Sequence, residues 1–142
     1  MRDFFQHPDS SVDPSSTIGA GCSIWAWSQV REGVTVGSET TIGQGVYIGP
    51  GARIGNRCKI QNQALIYEPS ELEDGVFVGP GVVFTNDKFP RSVNLNGTSK
   101  TSDDWRPVGS YVETGASIGA RAVIVAPVRL GRWSMVAAGA VV

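Results

Sequence analysis

The chain has 142 residues, a formal net charge of −1 and a single histidine. That length suits one domain, predicted to run over 1–142, and a near-neutral balance gives no electrostatic footing for nucleic-acid binding. Hydrophobic residues make up 41%, so the 18 glycines and 8 prolines point to a turn-rich β fold rather than to disorder.

The first ten residues are mostly polar, include Pro8 and lack the apolar segment of a signal peptide. No apolar run is long enough for a membrane helix. A cytoplasmic protein without membrane contact is the expectation. The segment Phe4-Phe5-Gln6-His7-Pro8 precedes the first clear repeat and is predicted to cap the first coil.

From Val12 a period of six takes over. Val12, Ile18, Ile24, Val30, Val36, Ile42, Ile48, Ile54, Ile60, Ile66, Leu72, Val78 and Phe84 follow in phase, and the series resumes at Val112, Ile118, Ile124, Leu130, Val136 and Val142. Two positions before each stands a small or β-branched residue, such as Cys22, Val34, Cys58 or Ala64. Glycine often follows the large residue, as at Gly19, Gly37, Gly43 and Gly49. This period fits neither a helix nor long strands. It fits short strands joined by tight turns, where glycine tolerates unusual dihedrals. Residues two apart on a strand share a face, so both columns point inward. Three hexads close one triangular coil, and coils stack about 4.8 Å apart. Leucine-rich repeats, with periods of about 20 or more residues, are excluded.

Stacking makes predictions about distant residues. Cys22 and Cys58 fall on one edge two coils apart, about 9.6 Å. That exceeds the roughly 7 Å Cα limit for a disulfide, so two free, buried thiols are expected. Stepping back by coils from Asn86 reaches Glu68, Pro50 and Glu32, and from Thr85 it reaches Tyr67, Gly49 and Arg31. These residues are predicted to line one edge. The hexad Cys58-Lys59-Ile60-Gln61-Asn62-Gln63 likewise replaces glycine with polar amides.

Phase is lost between Phe84 and Val112, so the segment 85–111 must loop out. It carries Asp87, Lys88, Arg91, Lys100, Asp103, Asp104 and Arg106 with Phe89 and Trp105. Loops this long are usually functional or disordered. The aromatics and the Phe89-Pro90-Arg91 turn favour an ordered lid, and the charges suit an anionic ligand such as a nucleotide diphosphate. The chain ends on the inward residue Val142 without the polar cap a solenoid needs, so the C-terminus is read as truncated.

The segments Gln6-His7-Pro8, Cys58-Lys59-Ile60-Gln61-Asn62, Gly75-Val76-Phe77-Val78-Gly79-Pro80 and Phe84-Thr85-Asn86-Asp87 with Pro90-Arg91 resemble one group of hexapeptide-repeat acyltransferases. It comprises the sugar-nucleotide N-acetyltransferases that modify a 3-amino group, on UDP-2-acetamido-3-amino-2,3-dideoxyglucuronate or on dTDP-3-amino-3,6-dideoxyhexoses. The resemblance implies an all-β fold, a single-stranded left-handed parallel β-helix with one long extruded loop. The left hand comes from the resemblance alone, because general chain rules favour right-handed crossovers. It further implies acetyl-CoA as cosubstrate and a homotrimer with active sites between subunits. Asn86 matches the family's asparagine beside the reacting amine, and Gln61, Asn62 and Arg91 match substrate-binding positions. Some members carry histidine after the tryptophan that matches Trp25, whereas this chain has Ala26, which leaves the sugar open.

The chemistry of the residues agrees. γ-Type carbonic anhydrases share this fold but bind zinc with three histidines, and a zinc site needs three or four protein ligands. No metal is expected here. Hydroxyl acceptors in this fold usually need a histidine base, whereas a neutral amine is already nucleophilic, so N-acetylation is favoured over O-acetylation. The expected activity is N-acetylation of a nucleotide-linked amino sugar in glycoconjugate synthesis. Asn86 would orient the amine, Glu68 or Asp87 would receive a proton, and backbone N–H groups would stabilise the oxyanion. Arg31, Gln61, Asn62, Tyr67, Thr85 and Arg91 would bind the nucleotide sugar. CoA would lie along a groove containing Ala120, Ala126, Ala138 and Gly139. Two other readings stay open: O-acetylation of a sugar or antibiotic, and a non-catalytic β-helix scaffold.

Overall fold

A computed structural model describes residues 2–142. Its strands are two residues long and run from Phe5–Gln6 to Met135–Val136. They assemble into three parallel sheets of seven, six and six strands, the three faces of a left-handed β-helical prism. The first face holds Phe5–Gln6 and its stacked partners, the second Ser11–Val12 and the third Thr17–Ile18. Each strand pairs with the strand one coil away, as in Leu65 opposite Val83 and Ile66 opposite Phe84. Backbone donors and acceptors are thereby satisfied between coils, which strands this short cannot do alone.

The large column forms the core. Ile24, Ile42, Ile48, Ile60, Ile66, Phe84, Ile118 and Ile124 have no solvent exposure. Each such side chain contributes roughly 1.5–3 kcal/mol on burial. The end coils are looser, and Val12, Ile18 and Val136 are only partly buried.

The corner glycines work differently from the expectation. Those directly after the large residue are not the left-handed ones. The left-handed φ falls two residues later, at Gly21 (φ 74°) and Gly51 (φ 70°), and also at Trp27, Glu39 and Trp133. The glycine after the large residue answers a packing constraint. A Cβ on Gly37 would lie 2.6 Å from Gly55 C and Asn56 N of the next coil. Coil spacing, not torsion, excludes the side chain there.

Cys22 and Cys58 are free and buried. Thr40 occupies the rung between them, and its hydroxyl accepts the Cys58 N–H at 3.0 Å. The segment around His7 differs from a cap laid over the prism. Phe5–Gln6 pairs with Ser23–Ile24, and the His7 N–H donates to Ile24 O at 2.8 Å. It is a first coil in its own right, because its backbone continues the ladder.

The loop leaves between the second and third faces. Val83 pairs with Val123, where an unbroken coil would bring residue 101, so 22 residues are extruded. The excursion is internally ordered. Val93 and Ser99 form an antiparallel bridge, and Asn94 N–H donates to Thr98 O at 2.8 Å. A short 3-10 turn at Ser102–Asp104 is closed by a Thr101–Asp104 capping box. The chain re-enters where Val108 N–H donates to Asn86 O at 2.9 Å.

Candidate active site

Three edges join the faces, and the candidate residues divide between two of them. The second edge, between the second and third faces, carries the loop. Tyr67, Thr85, Asn86 and Asp87 meet there in a pocket of about 360 Å³, together with Val83, Lys88, Pro90 and Val125. Tyr67 and Thr85 follow the paired residues Ile66 and Phe84, and Glu68 and Asn86 follow next, so each pair stacks one rung apart.

The polar groups of this pocket are not equally free. Thr85 Oγ1 accepts the Ala126 N–H at 3.1 Å, which ties the pocket floor to the coil above. Asp87 Oδ1 accepts the Phe89 N–H at 2.9 Å, and its other oxygen lies 3.9 Å from Lys100 Nζ. Lys100 also donates to Phe89 O at 3.2 Å. Both oxygens of Asp87 are thus engaged by the loop. Glu68 Oε2 is buried with no hydrogen-bond partner. The Asn86 side chain has no hydrogen bond within the described residues, and only its backbone carbonyl is taken.

Arg31 stands on this same edge, two coils below Tyr67, but its side chain does not line the pocket. Its guanidinium pairs with Glu32 at 2.8 Å and donates to Tyr47 OH at 3.3 Å. The Tyr47 ring packs on Tyr67 with centroids 5.2 Å apart. Burial pushes the Tyr47 hydroxyl up from its ordinary pKa, with Arg31 opposing it. Arg31 therefore supports the pocket wall through Tyr47 rather than lining it. Arg91 is exposed in the loop, and Lys88 is the cation that lines the pocket instead.

Gln61 and Asn62 lie on the first edge, between the first and second faces, as do Ala120, Ala138 and Gly139. A single chain does not bring them to Asn86. Ala126 departs from that group: it sits on the second edge, is 3% exposed, and can present only backbone. Asn62 Oδ1 accepts the Gln44 N–H at 2.9 Å, as Asn56 Oδ1 does for Ser38 N at 2.8 Å. Its carbonyl thus has a structural duty, and only its NH₂ remains for a ligand.

Sequence reasoning missed Tyr47, Val83 and Val125. A signal existed for the first two. The outward strand position on the second face reads Tyr47, Leu65, Val83 and Val123 on four successive rungs, a run that Lys59 and Ser117 break on the first face and Arg53 and Glu71 on the third. Apolar side chains facing outward mark a surface that is not meant for water.

Among the described residues, no group of three or more His, Cys, Asp or Glu is placed to hold a metal. Among the described residues, no helix is long and apolar enough to cross a membrane.

With this geometry in hand, the similarities to known proteins can be placed. The family of bacterial transferase hexapeptides (six repeats) matches residues 15–50 and 51–86. The chain belongs to that family. The hexapeptide repeat of succinyl-transferase matches residues 33–68 and 111–142, on both sides of the loop. No curated protein matches the sequence.

Solved structures agree on the fold. A histidine-to-asparagine variant of perosamine N-acetyltransferase from Caulobacter crescentus, solved with CoA and GDP-perosamine, is 25% identical. The match covers 91% of this chain and 48% of that one, at a TM-score of 0.57. A histidine-to-alanine variant of the GDP-perosamine N-acetyltransferase from that organism is 23% identical over 95% and 50% of the chains, at 0.60. The acetyltransferase domain of PglB from Neisseria gonorrhoeae is 20% identical over 92% and 52%, at 0.72. The chain spans about half the length of each of these structures.

Proposed function

We propose that this hexapeptide transferase moves an acetyl group from acetyl-CoA to the amino group of a nucleotide-linked amino sugar. In this reading it works in the cytoplasm as a homotrimer with sites between subunits. One observation carries the chemistry. Asn86, a side-chain amide without an intramolecular partner, stands one rung above Glu68, whose Oε2 is buried and unpaired. A buried acceptor without a donor is costly, at roughly 1–3 kcal/mol, and a carboxylate that takes up a proton lowers that cost.

The residues divide the work as follows. Glu68 takes a proton from the ammonium form of the amine and so frees its lone pair. Asn86 Oδ1 accepts an amine N–H and aims that lone pair at the acyl carbon. Tyr67, Val83, Pro90 and Val125 keep water from the reacting atoms, and Thr85 holds the floor. Lys88 faces the negative charge of the nucleotide, with Arg91 outside it. Acetyl-CoA supplies the activated thioester. The small residues Ala120, Ala138 and Gly139 leave a shallow wall on the first edge that fits its pantetheine arm, with Ala126 contributing backbone only.

The relative solved with CoA and GDP-perosamine pairs an acyl carrier with a nucleotide-linked sugar, which supports this class of substrates. The assembly reading has its own support. Tyr47, Leu65, Val83 and Val123 form an uncharged, half-buried stripe on the second face beside the pocket. A second copy laid on that stripe would bring its first edge, with Gln61 and Asn62, toward Asn86.

The deciding experiment incubates the protein with acetyl-CoA and a panel of nucleotide-linked amino sugars, with product mass read out. One or more sugars should gain an acetyl group on nitrogen. Asn86→Ala should lower kcat about a hundredfold, the loss typical of misplaced reactants, and Glu68→Ala should also lower it. Wild-type rates in both variants would remove these assignments, and acetylation of hydroxyl groups alone would replace the reading with O-acetylation.

A further inference from the structure

Three residues, each two places after a large core residue, tie their coil to the one below. Asn56 Oδ1 accepts the Ser38 N–H at 2.8 Å, Asn62 Oδ1 accepts the Gln44 N–H at 2.9 Å, and Asp74 Oδ1 accepts the Asn56 N–H at 2.7 Å. In each case the oxygen reaches down over a glycine of the lower coil. A Cβ on Gly37, Gly43 or Gly55 would lie 2.5–2.6 Å from it. Glu68 holds the same place over Gly49, and its Oε2 occupies the same seat. The residue that should donate to it is Pro50, which has no N–H. That is why Glu68 Oε2 is buried without a partner.

We propose that Pro50 is a positioning residue for the acetyl transfer: by withholding the N–H that this ladder supplies elsewhere, it keeps the Glu68 carboxylate free to take the proton of the amine. This role rests on the acetyl-transfer reading above and adds how the fold keeps its proton acceptor available.

Asp74 shows what the ladder bond does to a carboxylate. The Asn56 N–H, and then the Asn56 side chain, hold its carboxyl below the usual carboxylate range. A carboxylate bonded in this way is a weaker base. Glu32 also stands over a proline, Pro14, but there Arg31 donates to both carboxylate oxygens, at 2.8 and 2.9 Å. Among the described residues, no donor reaches Glu68 Oε2.

The rung above breaks the ladder by other means. Tyr67 stands where the other coils have glycine, so its own Cβ fills the seat and the Asn86 side chain is left unpaired. A missing donor and a filled seat thus interrupt the ladder on two successive rungs. Those are the rungs that carry Glu68 and Asn86.

The decisive variant restores the missing donor. In Pro50→Ala the new N–H should bond to Glu68 Oε2, as the N–H groups of Ser38, Gln44 and Asn56 bond to the oxygens above them. The thermal midpoint should rise by about 2–4 °C, because a buried acceptor gains its donor, whereas loss of a proline by itself lowers stability. The new amide should exchange slowly with solvent. Both effects should vanish when Glu68→Ala is added, as direct coupling requires. Pro80→Ala is the control. Pro80 holds the same place on the first edge, but Ala120 stands over it and offers no side-chain oxygen, so the midpoint should not rise.

With acetyl-CoA and the amino-sugar substrate, Pro50→Ala should lower kcat about tenfold, the factor for one charge-assisted bond that must first be broken. KM should stay within about twofold, whereas general damage to the coil would move both. Pro50→Ser should behave alike. A lower midpoint in both Pro50 variants, a gain that survives Glu68→Ala, or wild-type kcat in a variant that has gained the bond would overturn the proposal. Failure of the wider reading looks different. If the wild-type protein acetylates no amino sugar, the function falls, while the midpoint and the amide exchange still decide whether Pro50 withholds the bond.

Discussion

Glu68 lies over Gly49 with no room between them. A Cβ on residue 49 would collide with Glu68 Oε2 and lie 2.8 Å from the Glu68 N atom. The glycine of one coil thus creates the seat for the carboxylate of the next. Gly49→Ala should push Glu68 out of its position, cutting kcat about as much as Glu68→Ala does. Overpacking of this kind should cost about 1–3 kcal/mol of stability. Thermal unfolding and steady-state rates check both halves. A Gly49→Ala enzyme with full activity would mean that the position of Glu68 does not matter.

Lys100 is the tie between the two ends of the extruded loop, reaching Phe89 O at 3.2 Å and lying 3.9 Å from Asp87. Lys100→Ala should loosen the loop without touching the coils. Amide hydrogen exchange should quicken over residues 88–100 and stay unchanged in the strands. KM for the nucleotide sugar should rise several-fold, with the thermal midpoint nearly constant. Unchanged exchange in the loop would show that the hairpin at Val93 and Ser99 suffices to hold it.

Glu73 supplies a pH dependence. The Tyr111 hydroxyl, then the Thr114 hydroxyl and N–H, donate to its carboxylate and lower its pKa from 4.5 to about 2. A depressed folded pKa means that the unfolded chain binds the proton first. The stabilisation from Glu73 is therefore complete above about pH 4.5 and is lost as the pH falls through about 2. Glu73→Gln should flatten that part of the curve of thermal midpoint against pH. Identical acid limbs in the two proteins would contradict it.

The thiols offer a check on the stack itself. Burial pushes both Cys22 and Cys58 above the ordinary thiol pKa. Neither should react with a thiol-specific reagent in the native protein, and both should react on unfolding. Rapid labelling of either in native buffer would place it outside the core.

Much of this architecture was legible because the repeat converts sequence separation into height. Ile66 beneath Phe84 and Cys58 two rungs above Cys22 follow from counting alone. The cluster of Tyr67, Thr85 and Asn86 at the root of the loop follows from the same count. Counting does not show what a side chain is already doing. Asp87 reads as a free carboxylate in the sequence, yet the loop folds so that Phe89 N–H and Lys100 use it. Arg91 and Lys88 are indistinguishable as loop cations until the turn at Pro90 puts one in the pocket and leaves the other in solvent. The glycines after the large residues look torsional in the sequence, because the clash that excludes a side chain there comes from the neighbouring coil.

The sequence by itself determined the columns: a strict period of six, alternating large and small, leaves stacked coils as the arrangement that buries every large residue and pairs every strand. The tertiary structure decided which corner each polar residue occupies and which of them remain free. Gln61 and Tyr67 stand six residues apart in the chain, but each hexad turns the backbone by one face, so they look outward from different edges. The loop has no period to count, and its hydrogen bonds back to Asn86 and Phe89 exist only once the chain has closed on itself.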